Sequence, residues 1–296
     1  MAQGTASPPD RANSPDLPVP PPTNEKSGPM ESPPPHPATP VRPGVPSVRE
    51  IWRRPLPYLE GQPGTRYLCR ILLTVFHRRA LGFEGLEHIQ ADRDPFLLAL
   101  NHSQRPEAIL IPTWLCFHRG GRMVHFMADW NFLLIPGLAA VIRRHDPIVV
   151  VRKDARPRFL NRFKHRFRGS ALPFEEARNR LCTGRSVGVF PEATVNRNPA
   201  HLLRGQSGVA RLALETGVSV VPGGVRFPHA HPAQPVNDSE PFFVRFGPPI
   251  QRCPEISSTP AGVCHLHAQI MAAISTLSGK EWQPDARRTK YALSPP

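Results

Sequence analysis

The sequence predicts one α/β domain, a mostly buried mixed sheet flanked by helices, behind a disordered Pro-rich tail. Three observations carry this. Short apolar runs of strand length recur at residues 96–100, 148–151, 186–190, 218–221 and 242–246. Helical patterns alternate with them, after His102, over 208–215 and over 263–277. Such alternation belongs to α/β folds with a covered sheet. Finally, 40% of the 296 residues are hydrophobic, enough for one sizeable core.

In chain order, residues 1–48 are dense in proline, with Ser, Thr and Gly between. Such a segment buries too little surface to offset its ordering entropy, so it reads as a disordered tail with polyproline II character. Its runs at 18–22 and 33–37 suit an SH3-like partner less well than they suit a solvated leader. The segment 49–80 reads as basic and amphipathic. From Thr65 to Ala80, Leu68, Ile71, Leu72, Val75 and Phe76 recur at helical spacing among Arg66, Arg70, Arg78 and Arg79. That helix fits a bilayer surface or a packed domain face equally well. The domain proper is placed at 81–255, and a C-terminal helix with a polar tail at 256–296. Within the domain, Phe159, Phe163 and Phe167 fall on one α-helical face, edged by Arg158, Arg162, Lys164, Arg166 and Arg168. That stripe suits an anionic membrane surface or the core.

The charge bounds the partners. Lys and Arg number 37 against 23 Asp and Glu, for a net charge of +14. A surface this basic seeks anions. No zinc-finger spacing, helix-turn-helix or RNA-recognition signature is present, so lipid or a phosphorylated substrate is expected and nucleic acid is not. Cys69, Cys116, Cys182, Cys253 and Cys264 are scattered, odd in number and never CxxC, and read as reduced, mostly buried cytosolic thiols. The pairs His229/His231 and His265/His267 lack Cys or carboxylate companions, so no metal is expected. No secretory leader is apparent. The best membrane-spanning candidate, 126–142, carries Asp129 and Asn131 and breaks at Pro136-Gly137. Membrane association is therefore expected to be peripheral, on the cytoplasmic face.

Two segments carry the chemistry. Asn101-His102-Ser103-Gln104-Arg105-Pro106-Glu107 follows the apolar run 96–100, and Phe190-Pro191-Glu192-Ala193-Thr194 ends another. If the first run is a buried strand, its end opens into a loop and a helix whose first turn folds Glu107 back onto His102. A carboxylate held against an imidazole fixes its tautomer and makes it a general base.

These blocks, with Gly85-Leu86-Glu87, the stretch from Leu203-Arg204-Gly205-Gln206 to Glu215-Thr216-Gly217, and Val220-Val221-Pro222, resemble the PlsC-type glycerolipid acyltransferase family over about residues 80–250. The resemblance implies a glycerolipid-acyltransferase-like domain with an acyl tunnel. It implies transfer of a fatty acyl group from acyl-CoA or acyl-carrier protein to a lysophospholipid hydroxyl, 1-acyl-sn-glycerol-3-phosphate by default, with phosphatidic acid as product. No cofactor or metal is implied. His102 would be the base and Glu107 its partner. The thioester is already activated, so Ser103 and Ser207 are poor nucleophile candidates. Arg152, Glu192, Thr194, Arg197, Arg204 and Pro222 would form the acceptor site, Glu192 bonding a glycerol hydroxyl or bracing its loop, and Pro222 shaping the pocket. Several positions depart from the family pattern: the basic residue expected near Ala128-Asp129-Trp130 is missing, Asn196 replaces Ser, Glu107 replaces Asp, Ala193 replaces Gly, Val195 replaces the phosphate-binding Arg, and Gln206 replaces Lys. Each of the last three removes charge or flexibility from the acceptor site. A different lipid acceptor, or a non-catalytic membrane-associated relative, are the competing readings.

Overall fold

The computed structural model describes residues 42–151, 154–155, 157–167, 172–251 and 259–284. The tail up to residue 41 and Arg152 lie outside them. Among them seven strands form one sheet: β1 (Ala80–Glu84), β2 (Leu97–Leu100), β3 (His125–Asp129), β4 (Ile148–Val150), β5 (Val187–Val189), β6 (Val220–Arg226) and β7 (Phe242–Phe246). Their order is β1-β7-β6-β2-β5-β3-β4. The β2, β3, β4, β5 and β6 pairings are parallel, β6 and β7 are antiparallel, and β7 runs parallel to β1. The sheet is thus mixed.

Among the described residues seven α-helices flank it: α1 (Val48–Arg53), α2 (Pro63–Val75), α3 (Glu107–His118), α4 (Pro136–Arg144), α5 (Pro173–Cys182), α6 (Gly208–Thr216) and α7 (Pro260–Ser278). The central strand β2 shows why both faces must be covered. Leu98 and Leu100 join a core with Leu73, Trp114 and Phe246, whereas Leu97 and Ala99 join a second core with Leu212, Ile270 and Ile274. A strand buried on both sides is apolar at every position. Gly85 closes β1 in the left-handed region (φ +72), where a Cβ would stand 2.0 Å from the Phe246 carbonyl oxygen. Only glycine fits there.

Several sequence expectations change. Residues 42–47, assigned to the tail, lie along β1, where the Pro43 carbonyl accepts from Phe83 N–H at 2.7 Å. In α2 the buried stripe is Thr65, Cys69 and Leu73 rather than the expected face. The small Thr65 and Cys69 side chains allow close approach to α3, with Cys69 Sγ 3.7 Å from the Thr113 carbonyl. On the opposite side Tyr67, Ile71 and Val75 are exposed. The basic stretch is a 3-10 helix over Arg158–Phe167, not an α-helix. Three residues per turn scatter its phenylalanines around the axis. Phe167 packs on Trp130, Phe163 lies under Arg162 and Arg166, and Phe159 faces solvent. Cys69 and Cys116 are buried, but Cys182 and Cys264 are exposed, and Cys253 lies outside the described residues. Among the described residues no helix is long and apolar enough to cross a membrane.

Candidate active site

The C-terminal end of β2 delivers His102 into a loop, and α3 begins at Glu107. His102 Nδ1 lies 2.8 Å from Glu107 Oε2. The Ser103 N–H donates to the same oxygen at 2.9 Å. With the carboxylate as acceptor, Nδ1 carries the proton and Nε2 keeps its lone pair. Glu107 is fully buried, and its other oxygen, Oε1, has no hydrogen-bond partner.

The imidazole is held flat as well as oriented. Its ring stacks on Phe190 with centroids 4.3 Å apart, and Phe190 is backed by Phe126 at 5.4 Å. Gly188 makes room for that support, since a Cβ there would meet the Phe126 ring at 2.6 Å. Thus β5 sets the imidazole plane, while α3 sets its tautomer.

Glu192 belongs to the loop that follows β5. It is 1% exposed. Oε1 accepts from the His102 main-chain N–H at 3.1 Å, and Oε2 accepts from Asn196 Nδ2 at 2.7 Å and Leu203 N–H at 2.9 Å. Both oxygens are thus engaged by the protein itself. Burial pushes the Glu192 carboxyl above its ordinary range, opposed by the Lys280 charge and the three hydrogen bonds. Ala193, next in the chain, has φ +53. The turn that glycine makes easily is therefore made here by alanine, at a cost in backbone strain.

The remaining candidate residues differ in availability. Arg197 is committed to a neighbouring loop, pairing with Asp238 at 2.7 Å and donating to the Val236 carbonyl at 2.6 Å. Thr194 is half-buried at the mouth of the loop. Arg204 is exposed, and so is Arg105, three residues after His102. Pro222 sits inside β6, opposite Ala99 of β2, where it is buried in the sheet. Its place is in the framework behind the loop.

A protein-family model described as Acyltransferase matches residues 80–226, the span from β1 to the end of β6 that contains both loops. Residues 80–226 belong to the acyltransferase family. Among solved structures, the 1-acyl-sn-glycerophosphate (LPA) acyltransferase PlsC of Thermotoga maritima is similar at 18% identity, covering 79% of this chain and 87% of that one with a TM-score of 0.49. No curated protein matches.

Around the two loops lie further residues to which the sequence reading gave no role at the site. Arg79 donates to Gln104 Oε1 at 2.9 Å and to the carbonyls of Asp238 and Glu240. Gln104 Nε2 in turn donates to the Asn237 carbonyl at 2.6 Å. The loop before β7 is thereby fastened across the His102 loop. Asn101 locks β2 to β6 by exchanging two hydrogen bonds with the main chain of Val225. Lys280, just past α7, reaches Ser103 Oγ at 2.6 Å. The one available signal was chemical: an asparagine just before a catalytic-looking histidine, at the end of an apolar strand, needs a main-chain partner.

Proposed function

We propose that this acyltransferase moves a fatty acyl group from acyl-CoA or acyl-carrier protein to a lysophospholipid hydroxyl. The acceptor is 1-acyl-sn-glycerol-3-phosphate and the product phosphatidic acid. The hydrogen bond from His102 Nδ1 to Glu107, which leaves Nε2 as a base, carries this reading. Nε2 accepts the hydroxyl proton as the acceptor oxygen attacks the thioester carbonyl. The C–O bond forms, the C–S bond breaks, and the imidazolium returns its proton to the departing thiolate. Glu107 stabilises the imidazolium meanwhile. The products are an ester and a free thiol, with no acyl-enzyme between.

Arg105 and Arg204 are the exposed cations that flank the two loops and would meet the phosphate. We place the protein peripherally on the cytoplasmic membrane face; a bare apolar stripe on α2, Tyr67, Ile71 and Val75, flanked by Arg66 and Arg70, supports contact with an anionic bilayer surface. Arg79 follows α2 and bonds Gln104, so the stripe leads directly to the catalytic loop.

The experiment is acyl transfer from labelled acyl-CoA and acyl-carrier protein to a panel of lysolipids, by wild type and His102→Ala. Phosphatidic acid from wild type, lost in the variant, is the expected result. Product from another lysolipid alone would move the acceptor, the reading that Val195 in place of arginine favours. No product with any pair would leave a binding protein.

A further inference from the structure

We propose that Lys280 is a positioning residue of the active site, tying the His102 loop to the Glu192 loop and serving as shared counter-ion to Glu107 and Glu192. This rests on the acyltransferase reading of His102. A lysine is seldom buried without a reason, because stripping water from an ammonium is costly. Lys280 is 3% exposed. Its Nζ donates to Ser103 Oγ at 2.6 Å and to the Asn198 carbonyl at 2.7 Å.

Both contacts lead onward to the chemistry. Ser103 is the neighbour of His102, and its N–H donates to the same Glu107 oxygen that holds the imidazole. Asn198 N–H donates to Asn196 Oδ1, and Asn196 Nδ2 donates to Glu192 Oε2. One ammonium thus ends two hydrogen-bond chains, each of which closes on a carboxylate beside His102. Burial pulls Lys280 below its usual range, while the charges of Glu192 and Glu107 hold it up.

The chain is shaped to hold the lysine there. The helix α7 ends at Gly279 in the left-handed region (φ +69), which turns the chain inward. Ser275 Oγ donates to the Lys280 carbonyl at 2.6 Å, and Glu281 N–H donates to the Ala200 carbonyl at 2.7 Å. The main chain on both sides is therefore pinned, and the long side chain crosses to Ser103 from a fixed root.

The test compares wild type, Lys280→Met, Lys280→Arg and Ser103→Ala in kcat and KM against pH, with thermal unfolding measured alongside. Lys280→Met is expected to lower kcat about 10- to 100-fold with little change in KM, as a displaced base does. Its acid limb is expected to move to higher pH, because removing a cation eases proton uptake by the Glu192 carboxyl. Lys280→Arg should return the limb toward wild type. Ser103→Ala should lower kcat several-fold and leave the limb in place, since the charge remains. Carbon-13 titration of the Glu192 carboxyl without substrate supplies an arm that needs no turnover, and its midpoint should rise in Lys280→Met. Lower thermal stability with unchanged kcat, limb and midpoint would overturn the proposal. If Lys280→Met does not fold, a fully active Ser103→Ala would overturn it. An inactive wild type with a shifted midpoint would sink the acyltransferase reading while the counter-ion role stands.

Discussion

The main-chain N–H of His102 donates to Glu192 Oε1, so a carboxylate from one loop supports the backbone of the histidine in the other. Substituting Glu192→Gln keeps an acceptor for that N–H but turns an NH2 group toward donors at Asn196 or Leu203. It also leaves Lys280 with less charge to answer. Stability should fall by about 1–3 kcal/mol, and kcat by more than KM rises, read by denaturant unfolding and steady-state kinetics. Unchanged kcat in a destabilised protein would confine Glu192 to the fold.

Glu107→Gln should cost about 10²- to 10⁴-fold in kcat, because an amide can present either a donor or an acceptor to Nδ1 and no longer stabilises the imidazolium. Glu107→Asp withdraws the carboxylate by one methylene from a contact of 2.8 Å, and should fall between wild type and Glu107→Gln. Activity in Glu107→Gln equal to wild type would remove Glu107 from the mechanism.

Ala193→Gly should raise stability. The left-handed conformation at φ +53 costs a Cβ-bearing residue about 1–2 kcal/mol, while the added freedom of glycine in the unfolded chain returns part of it. A net gain of about 0.5–1 kcal/mol is expected, visible as a small rise in Tm. A loss of stability would show that the turn is unstrained.

His118 supplies a pH dependence. Its ring lies among Phe83, Trp114 and Phe117, and burial, helped by the Arg54 charge, pulls it from 6.5 to about 4. The unfolded chain therefore binds a proton that the native one refuses in that window. Stability from this group is present above pH 6.5 and is lost as pH falls toward about 4, in total on the order of 3 kcal/mol. His118→Phe should flatten this slope in urea unfolding run at stepped pH. An equal slope in both proteins would contradict it.

Ile71→Glu and Val75→Glu should weaken binding to anionic vesicles by about tenfold or more each, from the lost burial of an aliphatic side chain. Folded stability should hardly change, since both residues face solvent. Sedimentation with vesicles of phosphatidylglycerol and phosphatidylcholine reads the effect. Unaltered binding would take the α2 stripe out of membrane contact.

What the sequence revealed depended on distance along the chain. The contact between His102 and Glu107 closes over five residues, so its spacing is visible in the chain itself. The strand β2 was legible because burial on both faces leaves it wholly apolar. The strand β3 was not, because His125 and Asp129 at its ends are polar: one ring nitrogen reaches the Asp146 carbonyl and the carboxylate caps the next turn. Helix α5 was missed as well, its half-exposed face carrying Glu175, Glu176 and Arg178. The aromatic run 159–167 misled because helical spacing in a sequence does not choose between 3.6 and 3.0 residues per turn. Lys280 reaches Ser103 across 177 positions and Arg79 reaches Asp238 across 159, separations with no periodicity to read.

The strand order brings β7, among the last to be made, between β1, the first, and β6. A nascent chain that has emerged as far as Arg226 holds every residue of both loops, yet β1 still lacks its partner strand and the ammonium behind Ser103 has not been synthesised. For this molecule the assembly of a working centre is a late event. During elongation the facing edges of β6 and β1 are open to wrong pairing, and only the arrival of β7 closes them, before α7 covers one face of the sheet.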